Sequence, residues 1–267
     1  MERFGVWSVL NGTIVNAITV VVGSLLGLSI ASGIPDRFRS IVLQSLGLIT
    51  VTLAVDSAVL KFSDTVRRFA DHVRSPDTYG ARLAMIMIAS LLVGAILGTL
   101  LRLHERIEAL GSWIHRRFSS GDGAGFAEGF LTASVIFCVG PLTLLGCLQN
   151  GAHGDPSLLY IKATLDGFCA LALASALGWG VFASVLTVLG FQGGLSVLAW
   201  WVADPLDQVS MALMTIVGGV VLLATALLIL DIKKIPVANM LPGIFLPPLL
   251  VWVVERTSPG LLLPGTT

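Results

Sequence analysis

The sequence predicts an all-α, polytopic membrane protein of seven or eight transmembrane helices, and three observations lead there. Charged residues make up 12% of the 267 and hydrophobic residues 55%, where a soluble domain is normally about 25% charged. Mean hydropathy is +0.91. The apolar residues fall into several runs of about 20, the length a helix needs to cross a hydrocarbon core. The alternating ten-residue strands of an outer-membrane barrel are absent. The 16 acidic and 16 basic side chains cancel, which argues against a nucleic-acid partner and leaves the lipid bilayer as the first partner.

The first apolar run, Leu10 to Ala31, is longer than a signal-peptide core and lacks a basic leader, so it reads as a membrane helix. Gly12, Asn16, Gly23 and Gly27 share one side of it and invite close approach of another helix. Asn16 either bonds that neighbour or lines a cavity. After a turn at Ile34-Pro35-Asp36, a second helix runs from Ile41 to Leu60 with Gln44, Thr50, Thr52 and Asp56 on a polar face. Asp56 lies near its end and reads as an interfacial carboxylate. Lys61 to Arg82 is too charged to span and reads as a solvated connection, partly helical at the membrane surface. The third helix, Ala81 to Leu101, repeats the small-residue stripe with Ser90, Gly94 and Gly98. It leads into an amphipathic interfacial segment in which Leu103, Ile107, Leu110 and Ile114 recur at helical spacing.

Ser119 to Gly125 is a Gly/Ser-rich linker dividing the chain into a first half, 1–118, and a second, 126–267. The fourth helix, Gly129 to Leu148, is broken at Gly140-Pro141, because proline lacks a backbone donor and clashes with the preceding turn. The fifth, Leu158 to Leu177, carries small residues at Ala163, Gly167, Ala170 and Ala174 beside Lys162 and Asp166. A tight turn at Gly178-Trp179-Gly180 leads to a sixth helix, Val181 to Val202, interrupted at Gln192-Gly193-Gly194. The seventh spans Val209 to Leu230. Met240 to Val254 contains Pro242, Pro247 and Pro248 and is either a kinked eighth helix or a re-entrant piece.

Two correspondences about 120 residues apart, SLLGLS at Ser24 with TLLGCL at Thr143 and QSLGLITVTLA at Gln44 with TLDGFCALALA at Thr164, read as an inverted repeat. Such repeats with broken helices are characteristic of transporters. With the N-terminus outside, Arg37, Arg39, Arg102, Arg106, Arg116, Arg117, Lys233 and Lys234 collect on the cytoplasmic side. The Asn150 and Asp204 loops, left outside, hold no lysine or arginine. The cations Lys61, Arg67, Arg68, Arg74 and Arg82 run against that assignment.

No HExxH, GxSxG, paired-aspartate, P-loop or CxxC motif occurs, so no catalytic residue, cofactor or metal site is assigned and the chain is not read as an enzyme. The four histidines fall in or near connections, and Cys138, Cys147 and Cys169 read as packing residues. What remains is a set of polar groups at membrane depth: Asn16, Gln44, Thr132, Ser134, Gln149, Asn150, Lys162, Asp166 and Gln192. Glu128 opens the fourth helix, where a carboxylate also complements the helix dipole. Lys162 and Asp166 are four apart and share a helix face. Lys162 either snorkels to the headgroups or pairs with Asp166, and Asp166, a turn deeper, reads as buried.

The segments GTIVNAITVVVGSLLGL, EGFLTASVIFCVGPLTLLGCLQNG, GDPSLLYIKATLDGF and FQGG resemble the bacterial YdfK/YqgA-like inner-membrane family over nearly the whole chain. The resemblance implies a multi-pass bacterial plasma-membrane protein and, as a family of unknown function, transfers no site residues. Pro141 stands where that family is expected to hold a small residue, which sharpens the helix break. The residues together point to a secondary transporter of a small polar solute or ion working by alternating access. The other reading is a non-transporting scaffold or channel-like homo-oligomer whose glycine stripes serve packing.

Overall fold

The computed structural model describes residues 5–30, 36–106, 109, 124–138, 141–202 and 207–263. Most of the amphipathic segment expected at 103–118 and of the linker at 119–125, together with Gly140 and the side chain of Glu128, lies outside them. Among the described residues there is no strand. The helices are α1 Val6–Ser29, α2 Asp36–Val55, α3 Lys61–Phe69, α4 Tyr79–Leu100, α5 Ala124–Cys138, α6 Pro141–His153, α7 Ser157–Leu177, α8 Trp179–Ala183, α9 Gly193–Val202, α10 Gln208–Ile229 and α11 Pro247–Thr257.

Among the described residues six helical segments are long and apolar enough to cross a membrane: Trp7–Ser29, Pro76–Leu100, Ser157–Leu177, Trp179–Trp201, Gln208–Ile229 and Val237–Thr257. Thr132–Cys138 and Leu142–His153 meet at 51° and make a seventh if they form one span. The second expected span, 41–60, is helical too, although it is not among those six. The chain is therefore an all-α polytopic membrane protein. Large apolar side chains such as Trp7, Met85, Leu100, Leu186 and Trp201 are exposed, as lipid-facing groups are.

Two compact units form, one from Met1–Leu46 with Arg106–Asp204 and the other from Gly47–Glu105 with Pro205–Thr267. Each draws on residues from both sequence halves. In the first unit α1 lies along α7, and contacts pair Gly12 with Leu159, Gly23 with Gly167 and Gly27 with Leu171. Residue numbers rise together, so the two helices run parallel. The approach is close enough that a Cβ on Gly23 would stand 2.1 Å from the Gly167 carbonyl oxygen. The apolar core beside this seam comprises Val20, Ala133, Phe137, Ala170, Val181 and Val188 among others. Gly178 turns the chain between α7 and α8 at φ +73°, ψ −152°, a conformation open essentially to glycine alone.

In the second unit the helix expected to end at Leu60 continues. A π turn, Asp56–Leu60, carries the helix directly into α3, because Phe62, Val66 and Phe69 still have an apolar core to pack on. The solvated connection expected from Lys61 is thus helical as far as Phe69, with 3₁₀ turns at Ala70–His72 and Pro76–Thr78. Asp56 is exposed, as an interfacial carboxylate would be. The proline-rich tail is helical on both sides of a bend at Leu246, a 3₁₀ segment Val237–Phe245 followed by α11. It packs antiparallel on the small-residue stripe of α4, where a Cβ on Gly98 would stand 2.0 Å from the Asn239 carbonyl oxygen.

The tail after α11 is held by a carboxylate that binds its amides and by donors from Tyr79, Arg82 and the Arg74 backbone that bind its carbonyls. Glu255 accepts from the backbone N–H of Gly260 at 2.8 Å, Leu262 at 2.6 Å and Leu263 at 2.9 Å, while the Tyr79 hydroxyl donates to the Leu262 carbonyl at 3.2 Å. Hydrogen bonds to a charged group contribute about 1.5–3 kcal/mol net, so Glu255→Ala should release residues 260–263 and lower stability by about that much. Hydrogen exchange at the Leu262 and Leu263 amides measures this directly. Unchanged protection in the variant would contradict the assignment.

Candidate functional site

Four of the polar residues expected at membrane depth converge in the first unit. Asn16 sits near the middle of α1 and Asp166 near the middle of α7, and the parallel glycine seam brings their faces together. The Asn16 Nδ2 donates to Asp166 Oδ2 at 2.9 Å and to Gln192 Oε1 at 2.8 Å. Lys162, one turn before Asp166, forms an ion pair with the same Oδ2. Relative exposure is 0% for Asn16 and Gln192, 4% for Lys162 and 7% for Asp166, so the lysine does not snorkel. Bringing either charge to membrane depth costs about 2.5–3.5 kcal/mol on insertion scales, and the partner offsets part of it.

Backbone breaks on two sides shape this group. Gln192 closes a π turn, Val188–Gln192, between α8 and α9, a local widening of the helix common at functional sites. Its carbonyl accepts from the Cys147 thiol at 3.4 Å, and its Nε2 approaches Thr13 Oγ1 at 3.4 Å. At the other break, proline at position 141 has no N–H to offer the Phe137 carbonyl. The Thr143 hydroxyl replaces it at 3.1 Å. Thr13 and Cys147 were not anticipated. Thr13 lies three residues before Asn16 and so on the same helix face, a signal that was there to find.

The remaining expected residues lie elsewhere. Ser134 on α5 shares a 2.9 Å hydrogen bond with Thr187, and Thr132 is half-buried on the same helix. Gln149 donates to Asp155 at 2.5 Å, a staple across the loop before α7. Asn150 is fully buried and donates to the Val9 carbonyl at 2.6 Å, tying the end of α6 to the start of α1. Gln44 is exposed and donates to Ser40 at 3.3 Å, apart from the cluster, because its face of α2 is not covered. Among the described residues no three His, Cys, Asp or Glu side chains converge as a metal site would require.

Residues 11–252 match the family described as "Protein of unknown function (DUF554)". The chain belongs to this family. It is 30% identical over 244 residues to the "Uncharacterized membrane protein YdfK" of Bacillus subtilis (strain 168), covering 91% of this chain and 96% of that protein. It is also 30% identical over 243 residues to the "Uncharacterized protein YqgA" of Escherichia coli (strain K12), covering 88% and 93%. No solved structure matches this DUF554 chain.

Proposed function

We propose that the protein is a secondary transporter that moves a small polar solute or ion by alternating access, with Asn16, Lys162, Asp166 and Gln192 as its site. The observation that carries this reading is a buried ion pair at the depth of mid-helix, bonded to the fully buried Asn16 amide, which in turn bonds the fully buried Gln192 amide, and flanked by broken helices. Apolar packing alone has no need of such a group, and unwound backbone at that depth is tolerated where it lines a site. The inverted relation of the halves 1–118 and 126–267 belongs to the same reading.

The membrane is the bacterial plasma membrane, with the N-terminus and the Asn150 loop outside. The parallel course of α1 and α7 supports putting both on one side. An impermeant thiol reagent applied to intact cells, with single cysteines placed at Ser119 or His153, checks this. Labelling at Ser119 but not at His153 would refute it.

The decisive experiment is uptake into proteoliposomes against a panel of amino acids, sugars, organic acids and monovalent cations. Flux above protein-free vesicles that disappears in Lys162→Met/Asp166→Leu supports transport. Absence of flux for the whole panel with folded protein favours the scaffold reading, to which the glycine contacts of α1 and α4 also lend themselves.

A further inference from the structure

We propose that Lys162, Asp166 and Asn16 bind the two charged ends of a small α-amino acid, its ammonium on Asn16 Oδ1 and the Asp166 carboxylate, its carboxylate on Lys162 Nζ. The inference rests on the transport reading of the same site and names its substrate class. Its starting point is the hydrogen-bonding capacity that the cluster leaves unused. Lys162 Nζ carries three donors and makes one hydrogen bond, to Asp166 Oδ2. Two N–H groups of a buried ammonium thus find no acceptor among the described residues. Asp166 receives both Lys162 and Asn16 on Oδ2, so its Oδ1 accepts no hydrogen bond among the same residues.

The Asn16 amide adds a third unmet group. Its Nδ2 has two oxygen acceptors, Asp166 Oδ2 and Gln192 Oε1, and flipping the amide would set oxygen against oxygen, so the network decides its orientation. Oδ1 is left fully buried and accepts no hydrogen bond among the described residues. It shares a carbon with Nδ2, about 2.3 Å away, and so lies no more than about 5 Å from Asp166 Oδ2. One ammonium spans that gap with two charge-assisted hydrogen bonds of about 2.8 Å. Nearly all buried polar groups have a partner, and here three neighbouring groups are short of one.

Donors and acceptors are short of partners together, and this selects the ligand. A lone cation would meet the acceptors, leave the two Nζ N–H groups unpaired and add one uncompensated charge away from water. A lone anion would do the converse. A molecule bearing both charges meets both needs and leaves the net charge of the site at zero. Lys162 Nζ and the Asp166 carboxylate touch, so the two receiving positions are adjacent. The ligand's own charges must then sit close together, as they do on the single α-carbon of an amino acid. Its nitrogen must also carry N–H donors, which a quaternary ammonium lacks. The close approach of α1 and α7 at Gly12–Leu159 and Gly23–Gly167 points to a small side chain.

The test follows the melting temperature of the full-length protein in nanodiscs against glycine, L-alanine and L-serine. Ethylamine, propionate and glycine betaine serve as probes with the ammonium alone, the carboxylate alone, and both charges without an N–H. At least one of the amino acids should raise the melting temperature saturably. The three probes should bind at least about tenfold more weakly, because each gives up charge-assisted hydrogen bonds. Lys162→Met/Asp166→Leu should lose the rise. No saturable rise with any of the three amino acids overturns the proposal and assigns the unmet groups to internal water. An equal rise with ethylamine, propionate or the betaine overturns it too, as does a rise retained in the double variant. The first two outcomes are read on wild type and stand even if the variant does not fold. Amino-acid binding without flux would keep this inference and remove transport. Pair-dependent flux of another solute, without amino-acid binding, would keep transport and remove this inference.

Discussion

Asp166→Asn lowers stability more than the double replacement Lys162→Met/Asp166→Leu. That is the expected result of thermal or denaturant unfolding in detergent. The single change leaves the Lys162 ammonium buried without its carboxylate and removes an acceptor from Asn16 Nδ2. Orphaning one partner of a buried ion pair costs about 3–5 kcal/mol, whereas replacing both with apolar groups of similar volume is often neutral or stabilising. The double variant should therefore melt near wild type while transporting nothing. A single variant that melts like wild type would mean the pair is hydrated, and a double variant that still transports would make the pair structural only.

The second large effect comes from the seam that positions the pair. Gly23→Val places branched carbons where a Cβ already falls 2.1 Å from the Gly167 carbonyl oxygen and 3.3 Å from the Ala170 Cβ. Neither obstacle is the movable end of a long side chain, so α1 must shift away from α7. Overpacking of this kind costs about 1–3 kcal/mol, occasionally more. The shift also stretches the 2.9 Å bond from Asn16 to Asp166, so transport should fall further than stability. Crosslinking between cysteines introduced at Asn16 and Asp166 reads the separation, provided the native cysteines are first removed. Undiminished crosslinking in the Gly23→Val background would show that the seam yields elsewhere.

Much of this was readable in the chain itself, for reasons of solvent. A bilayer demands about 20 apolar residues per span and satisfied backbone groups, so composition and run length alone announce an all-α membrane protein. The glycine stripe on α1, the Lys162–Asp166 pair four residues apart and the breaks near Pro141 and Gln192 are local features, and sequence spacing is enough to see them. Spacing also marks which helix face a residue shares, which is why Asn16 could be placed on the packing side of α1.

Which face meets which is a property of three-dimensional packing, and there the sequence alone is silent. Asn16 bonds a residue 150 positions away and another 176 away. Gln44, equally polar and also on an apolar helix, is left exposed. The glycine stripe marks the Asn16 face as one that packs, but which distant segment covers it is decided only by the fold. The same holds for Lys162, whose stem is long enough to snorkel until α1 closes over it, and for 61–69, which stays helical because Phe62, Val66 and Phe69 find a core. Local sequence thus determined the helices and their polar faces. Only the tertiary structure decided that four of those polar groups form one site, since the hydrogen bonds joining them link segments far apart in the chain.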